Sequence, residues 1–173
     1  MVVADWRIEG LERAHDRAAF SCGKPSLDQF IQRLVGQYEK RSLGRTYVAV
    51  RPGEKRVIGY YTLAAGSIAF QNLPEPTARE LPRHPAPVIL LARLAVDGGA
   101  QGQGLGAALL IDALSRCLTI ADKVGVHAVD VDAIDEQAAD FYTRFGFSPL
   151  PDDALHLFLP IATIRDGFGG APG

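Results

Sequence analysis

The chain has 173 residues, 47% of them apolar and 22% charged, which excludes wholesale disorder and gives one domain enough apolar surface for a core. Its formal net charge of −2 argues against a general nucleic-acid binder, which carries a strong basic excess. Cys22 and Cys117 stand far apart with no Cys-x-x-Cys spacing, which excludes a disulfide scaffold or cysteine zinc ribbon and leaves no metal site to expect.

The first residues, MVVADWRIEG, lack a basic segment followed by an apolar stretch, so no signal peptide is expected. From Ser26 to Arg41 the apolar set Leu27, Phe30, Ile31, Leu34, Val35 and Tyr38 recurs at the spacing of an amphipathic helix. Ser26 is its expected N-cap and Gly44 its expected stop. TYVAV (46–50), a Pro52-Gly53 turn and VIGYYTLAA (57–65) predict an antiparallel hairpin. Thr77–Pro87 is a basic, proline-rich connector. Val88–Val96 is apolar on both faces except at Arg93, as in a covered central strand. That run is far short of the roughly 20 residues of a membrane span, so a cytoplasmic protein without a membrane partner is expected.

A long helix is predicted from Gly104 to Val124, with Leu105, Leu109, Ala113, Cys117, Ile120 and Val124 on one face. VHAVDVDA (126–133) is a strand, Glu136–Phe145 a short helix ended by Gly146, and ALHLFL (154–159) a last strand. This order predicts a mixed α/β (α+β) domain, antiparallel first and strand–helix–strand second. Residues 1–168 are read as one domain and 169–173 as a flexible tail.

The charge is unevenly spread. Residues 1–93 hold 14 Lys/Arg and 9 Asp/Glu, a balance of +5, and residues 94–173 hold 4 and 11, a balance of −7. Halves of opposite sign point to one face that meets an anion.

The sharpest motif is LAVDGGAQGQGLGAALL, residues 94–110, a strand running through glycines into a helix. Exposed N–H groups at a helix N-terminus favour phosphate, and glycine lets the backbone approach it. Gly102, Gly104 and Ala107 satisfy the dinucleotide pattern G-x-G-x-x-G/A, with Asp130 and Asp132 on the next strand. Only about 70 residues follow, at most half of a doubly wound sheet, and the upstream hairpin does not belong there. The Walker pattern fails because no Gly-Lys-Ser/Thr follows. Gln101, Gly104 and Gly106 instead fit Gln/Arg-x-x-Gly-x-Gly/Ala.

That last pattern resembles the acyl-CoA loop of the GNAT acetyltransferases. The second half of the signature follows in DAIDEQAADFYTRFGF (132–147). Ala138, Tyr142, Gly146 and Phe147 fit, and Asp135 stands where the family has Asn. The resemblance implies a GNAT acyl-CoA N-acyltransferase fold, a mixed central sheet flanked by helices, and acetyl-CoA as cosubstrate. It places the backbone of Leu94, Ala95 and Val96 along the pantetheine, with the Val96 N–H at the thioester oxygen. Amides of Gln101, Gly102, Gln103, Gly104, Leu105, Gly106 and Ala107 hold the pyrophosphate. Tyr142 is the general acid for the leaving thiolate, and Phe141 and Phe145 are core aromatics that brush the coenzyme. No residue stands out as a general base: His84 lies in the connector, and His15, His127 and His156 look structural. An α-amine with a pKa near 8 needs none.

Several stretches are similar to one GNAT group, the toxins of type II toxin–antitoxin modules that acetylate the α-amine of aminoacyl-tRNA. These are FSCGKPSLDQFI (20–31), TYVAV (46–50), VIGYYTLAAGSI (57–68), PVILLARLAVDGGAQGQGLGAALL (87–110) and VDVDAIDEQAADFYTRFGF (129–147). The resemblance implies a translation-blocking enzyme, a homodimer, and a ribbon-helix-helix antitoxin through which alone operator DNA is bound. The charge pattern fits. Arg33, Lys40 and Arg41 lie on the amphipathic helix, Arg79 and Arg83 in the connector, and Arg93 on the central strand. Together they are the expected track for the tRNA acceptor end. The bland alternatives are a solvated charge stripe and an Arg93–Asp97 ion pair. The rival functions are acetylation of a small amine or protein N-terminus, and a catalytically silent CoA-binding regulator.

Overall fold

The computed structural model describes residues 5–169. Chain order runs β1 (Arg7–Gly10), α1 (Pro25–Gln29), a π-turn (Phe30–Leu34), α2 (Val35–Lys40), β2 (Arg45–Val50), β3 (Gly59–Ile68) and α3 (Glu75–Ala78). It continues with β4 (Ala86–Val96), α4 (Leu105–Ala121), β5 (Ala128–Asp132), α5 (Glu136–Arg144), β6 (Ser148–Leu150), β7 (Asp153–Pro160) and α6 (Ile161–Gly169). The strands order as β1-β2-β3-β4-β5-β7-β6 in a seven-stranded sheet, the mixed α/β architecture that the sequence predicts. The contacts divide the chain into two compact units.

The first unit takes the chain through Ala64 together with Ala92–Ala113. Its β2 and β3 are rich in β-branched and aromatic residues, which favour a pleated, half-buried surface. They pair antiparallel from Arg45↔Leu63 to Ala49↔Gly59, with Gly53 of the turn at φ 79°. Opposed Thr46 and Thr62 share a buried hydroxyl bond of 2.7 Å, and Tyr47 stacks on Tyr61 at 5.2 Å, two cross-strand pairs that fix this register. The core packs Phe20, Phe30, Ile31, Val35, Val48, Val50, Val57, Tyr60 and Ala95. Gly59 lets α4 lie close: a Cβ there would come within 2.9 Å of Leu109 and 3.0 Å of Leu105.

The predicted helix at Ser26–Arg41 is present but not regular. Lys24, rather than Ser26, is its N-cap, because Pro25 takes the first helical position, where a missing N–H costs nothing. Val35 N–H bonds Phe30 C=O, an i→i+5 step that inserts one residue into the turn. The insertion turns Leu34 outward, to 39% exposure, and keeps Val35 in the core, so the regular period misplaced Leu34. Arg17 donates at 2.7 Å to Ile31 C=O, the carbonyl that Val35 N–H would take in a regular α-helix. The helix ends at Lys40, and Ser42 adopts φ 58°. Gly44 is not the stop; a Cβ there would meet Thr62 Cγ2 at 2.9 Å.

The second unit takes Ala65–Leu91 and the chain from Leu114 onward. Here β4 runs parallel to β5 with register Val88↔Ala128 to Leu90↔Asp130, the strand–helix–strand crossover expected around α4. β5 and β7 pair antiparallel from Ala128↔Pro160 to Asp132↔His156. The core gathers Ile68, Leu73, Ala86, Val88, Ala128, Leu150 and Phe158. α4 stops at Ala121, three residues short of its expected end, which leaves Val124 58% exposed. Strands β1 and β6 and helix α6 were not read from the sequence. α6 includes Gly169, assigned above to the tail; residues 170–173 lie outside the described residues. Among the described residues no helix is long and apolar enough to cross a membrane.

Candidate active site

In the first unit, β4 carries Leu94, Ala95 and Val96 to the glycine loop. Its register with β5 covers Val88–Leu90, and β4 continues for six residues beyond it. Asp97, only 5% exposed, ties the loop down. Its Oδ1 accepts from Ser21 N–H at 2.9 Å and its Oδ2 from Gly99 N–H at 3.0 Å, and Arg56 lies 3.6 Å from Oδ2. Gly98 N–H reaches Ser21 C=O at 2.8 Å. The alternative Arg93–Asp97 ion pair is not formed; the cation beside Asp97 is Arg56. A lone acid ahead of Gly-Gly was the available signal.

The Gln101 side chain folds back as a brace, its Nε2 donating to Val96 C=O at 2.9 Å and Cys22 C=O at 3.1 Å. Any coenzyme contact of Gln101 therefore falls to its amide. Gly102 and Gly104 take φ 78° and 88°, a conformation that favours glycine even though a Cβ would meet nothing within 4 Å. They deliver the chain to Leu105, the first residue of α4. The N–H groups of Leu105, Gly106 and Ala107 have no intrahelical partner by construction, and they stand at the positive end of a 17-residue helix. The Leu105 side chain is buried, so only its amide serves here. This cradle of loop and helix amides fits a diphosphate. Gln103 is exposed and its Oε1 accepts from Arg51 at 3.0 Å.

Cys22 borders the loop. Burial, with the hydrogen bond to Asp28, pushes its thiol up to about 11. It carries its proton at neutral pH, as a structural thiol does.

In the second unit, Asp135 caps α5, its Oδ1 accepting from Ala138 N–H at 2.9 Å. An aspartate oxygen does this as well as the family's asparagine oxygen, so the departure costs the cap nothing. About two turns beyond this cap stands Tyr142, 5% exposed, edge-on to Phe141 at 5.3 Å and Phe147 at 5.5 Å. Phe141 and Phe145 lie 5.2 Å apart. Gly146 at φ 96° ends the helix, and Phe147 N–H returns to Tyr142 C=O at 3.3 Å. Burial pushes the Tyr142 phenol above the ordinary tyrosine range, so it carries its proton at neutral pH and suits a donor rather than a base.

The cations divide. Arg33, Lys40 and Arg41 are all exposed on the α1–α2 segment. Arg93 is held over the Phe30 ring at 3.7 Å and near Tyr38 at 5.2 Å, a cation–π seat on the π-turn. In the second unit, Arg79 is drawn to Glu75 at 2.6 Å, both well exposed, and Arg83 is exposed. His15 has its Nδ1 accepting from Glu12 N–H at 2.9 Å and its Nε2 2.7 Å from Glu9. His156 sits between Asp130 at 2.9 Å and Asp152 at 3.1 Å.

A family model described as an acetyltransferase (GNAT) domain matches residues 42–149. A tRNA-acetylating toxin of Mycobacterium tuberculosis is 44% identical over 152 residues, 88% of this chain and 90% of that protein. The structure of AtaT complexed with acetyl-methionyl-tRNAfMet superposes with TM-score 0.88 at 32% identity, covering 95% of this chain and 99% of that one. An AtaT tyrosine-to-phenylalanine mutant, bound to acetyl-CoA and the C-terminus of the antitoxin AtaR, superposes with TM-score 0.82 at 31% identity over 95% and 99%. The chain belongs to the GNAT acetyltransferase family and, within it, to the group of tRNA-acetylating toxins.

Proposed function

We propose that this protein transfers the acetyl group of acetyl-CoA to the α-amine of aminoacyl-tRNA and so withdraws charged tRNA from translation. The observation that carries this reading is the Gln101–Ala107 loop, pinned by Asp97 and opened by two left-handed glycines, in a chain related to a tRNA-acetylating toxin. Acetyl-CoA supplies a thioester whose carbonyl carbon the amine attacks. The amides of Gln101, Gly102, Gln103, Gly104, Leu105, Gly106 and Ala107 hold its diphosphate, and the backbone of Leu94 and Ala95 runs along its pantetheine. Val96 N–H donates to the oxygen that turns anionic when the carbon becomes tetrahedral.

Tyr142 donates its proton to the sulfur as the C–S bond breaks, and the proton shed by the amine restores the phenol. Phe141 and Phe145 give this acid an apolar wall. The substrate amine has a pKa near 8 or lower, so it attacks as the free base without a dedicated one. Arg33, Lys40, Arg41 and Arg93, with Arg79 and Arg83, meet the acceptor-stem phosphates, and such contacts weaken with salt.

The neutralising partner is an antitoxin, as the AtaT–AtaR complex supports. We assign it to the ribbon-helix-helix class, with operator DNA bound only through it. Residues 1–168 are assigned to one domain, the working species to a homodimer, and the location to the cytoplasm.

The test offers purified protein and acetyl-CoA three acceptors: charged tRNA, free amines and a peptide N-terminus. Acetyl transfer confined to charged tRNA is expected. Faster transfer to either other acceptor, or none at all, contradicts the reading.

A further inference from the structure

The β2–β3 turn, RPGEKR, brings two arginines to the glycine loop, and they differ in one respect. Arg56 lies 3.6 Å from the buried carboxylate of Asp97, so its charge is offset there. Arg51 donates to Gln103 Oε1 at 3.0 Å and to Asp5 C=O at 3.1 Å. Both acceptors are neutral oxygens, so these bonds fix the guanidinium without cancelling its charge. They occupy two of its five N–H donors and, among the described residues, leave the others for a further acceptor.

The placement is specific. Gln103 stands between Gly102 and Gly104, the two left-handed residues of the loop. A guanidinium docked on the Gln103 side chain therefore borders the loop whose amides the acetyl-CoA reading assigns to the diphosphate. The antiparallel pairing of β2 with β3 and the left-handed Gly53 hold the turn in place, so little freedom is lost when Arg51 engages a ligand. Loop amides and a helix end offer only partial charges. A full positive charge beside them is what a phosphate group still lacks, and the planar guanidinium fork matches its oxygens.

We propose that Arg51 is a coenzyme A contact that binds one of its phosphate groups at the rim of the glycine loop. The proposal rests on the acetyl-CoA reading above. The phosphate is either the diphosphate in the amide cradle or the 3′-phosphate of the adenosine, and the chemistry of recognition is the same.

Calorimetric titration of the full chain with coenzyme A and with 3′-dephospho-coenzyme A, at two salt concentrations, tests it. Arg51→Ala should weaken coenzyme A about tenfold, as expected for a lost hydrogen bond to a charged group, and flatten the salt dependence of binding. Arg51→Lys should restore part of both. An equal loss for both ligands assigns the diphosphate, and a loss for coenzyme A alone assigns the 3′-phosphate; either supports the contact. Wild-type affinity in Arg51→Ala overturns it. So does weakened binding with the salt dependence intact, which would make Arg51 a prop for the loop. A wild-type chain that binds neither ligand overturns the coenzyme reading itself, and the contact with it.

Discussion

The glycine loop and the Tyr142 segment are built by opposite means. The loop is held by polar bonds from distant sequence: Asp97 to Ser21 and Gln101 to Cys22 span 76 and 79 residues. The Tyr142 segment is held locally and mostly by rings. Its cap joins Asp135 to Ala138, and its aromatic contacts run among Phe141, Tyr142, Phe145 and Phe147. A cradle of backbone amides needs its chain path fixed by directional bonds, because amides offer no side chain to pack. The phenol at the centre of the other construction is held by ring contacts, which need no directional bonds to distant sequence.

Substitutions that strike one construction and spare the other test this contrast. The largest effect belongs to Tyr142→Phe. The ring packing survives, so the melting temperature should stay near wild type, while acetyl transfer falls roughly 10²–10⁴-fold with the proton donor gone. Steady-state kinetics beside a thermal melt separates the two readouts.

Asp97→Ala should do the reverse and act through folding. It removes the buried acceptor of the Ser21 and Gly99 N–H groups, two hydrogen bonds to a charged group, and should cost about 3 kcal/mol, read by denaturant unfolding. An unchanged midpoint would show that the loop is held otherwise.

Asp135→Ala removes a helix cap and should cost about 1 kcal/mol, whereas Asp135→Asn keeps an accepting oxygen and should change stability by under about 0.5 kcal/mol. If the two variants melt alike, the cap bond carries nothing.

The smallest effect is a pH dependence carried by His156. Burial opposes charge on His156, but its hydrogen bonds to Asp130 and Asp152 outweigh that and raise its pKa. A raised folded-state pKa stabilises below the unfolded value and fades as pH climbs through the folded one. Stability should therefore decline as pH rises from the ordinary value of 6.5 through the raised one, and His156→Gln should flatten that slope.

The same contrast explains what the sequence disclosed. The Tyr142 half is a local motif, with cap, helix, tyrosine and terminating glycine within a dozen residues, and period and spacing suffice to read it. The strand–helix–strand crossover and the hairpin are legible for the same reason. The loop's own glycines are legible too, but its anchors are not, because nothing near Asp97 or Gln101 announces Ser21 or Cys22. The π-turn shows a further limit. A 3.6-residue period assigns Leu34 to the core, and only the i→i+5 bond to Phe30 reveals the inserted residue. From the sequence Arg93 either faces substrate or pairs with Asp97; its seat on Phe30 and Tyr38 depends on that same irregular turn. Nothing in the sequence marks Arg51, because its partner, Gln103, is 52 residues away.

The central claim is the proposed acetylation of charged tRNA, with Tyr142 as the proposed proton donor. Its most direct test is mass spectrometry of the aminoacyl-adenosine released by ribonuclease from charged tRNA, after incubation with acetyl-CoA and either wild type or Tyr142→Phe. The account predicts an acetyl group on the α-amine with wild type and almost none with the variant. Unmodified aminoacyl-adenosine with wild type, or equal acetylation by the variant, would contradict it.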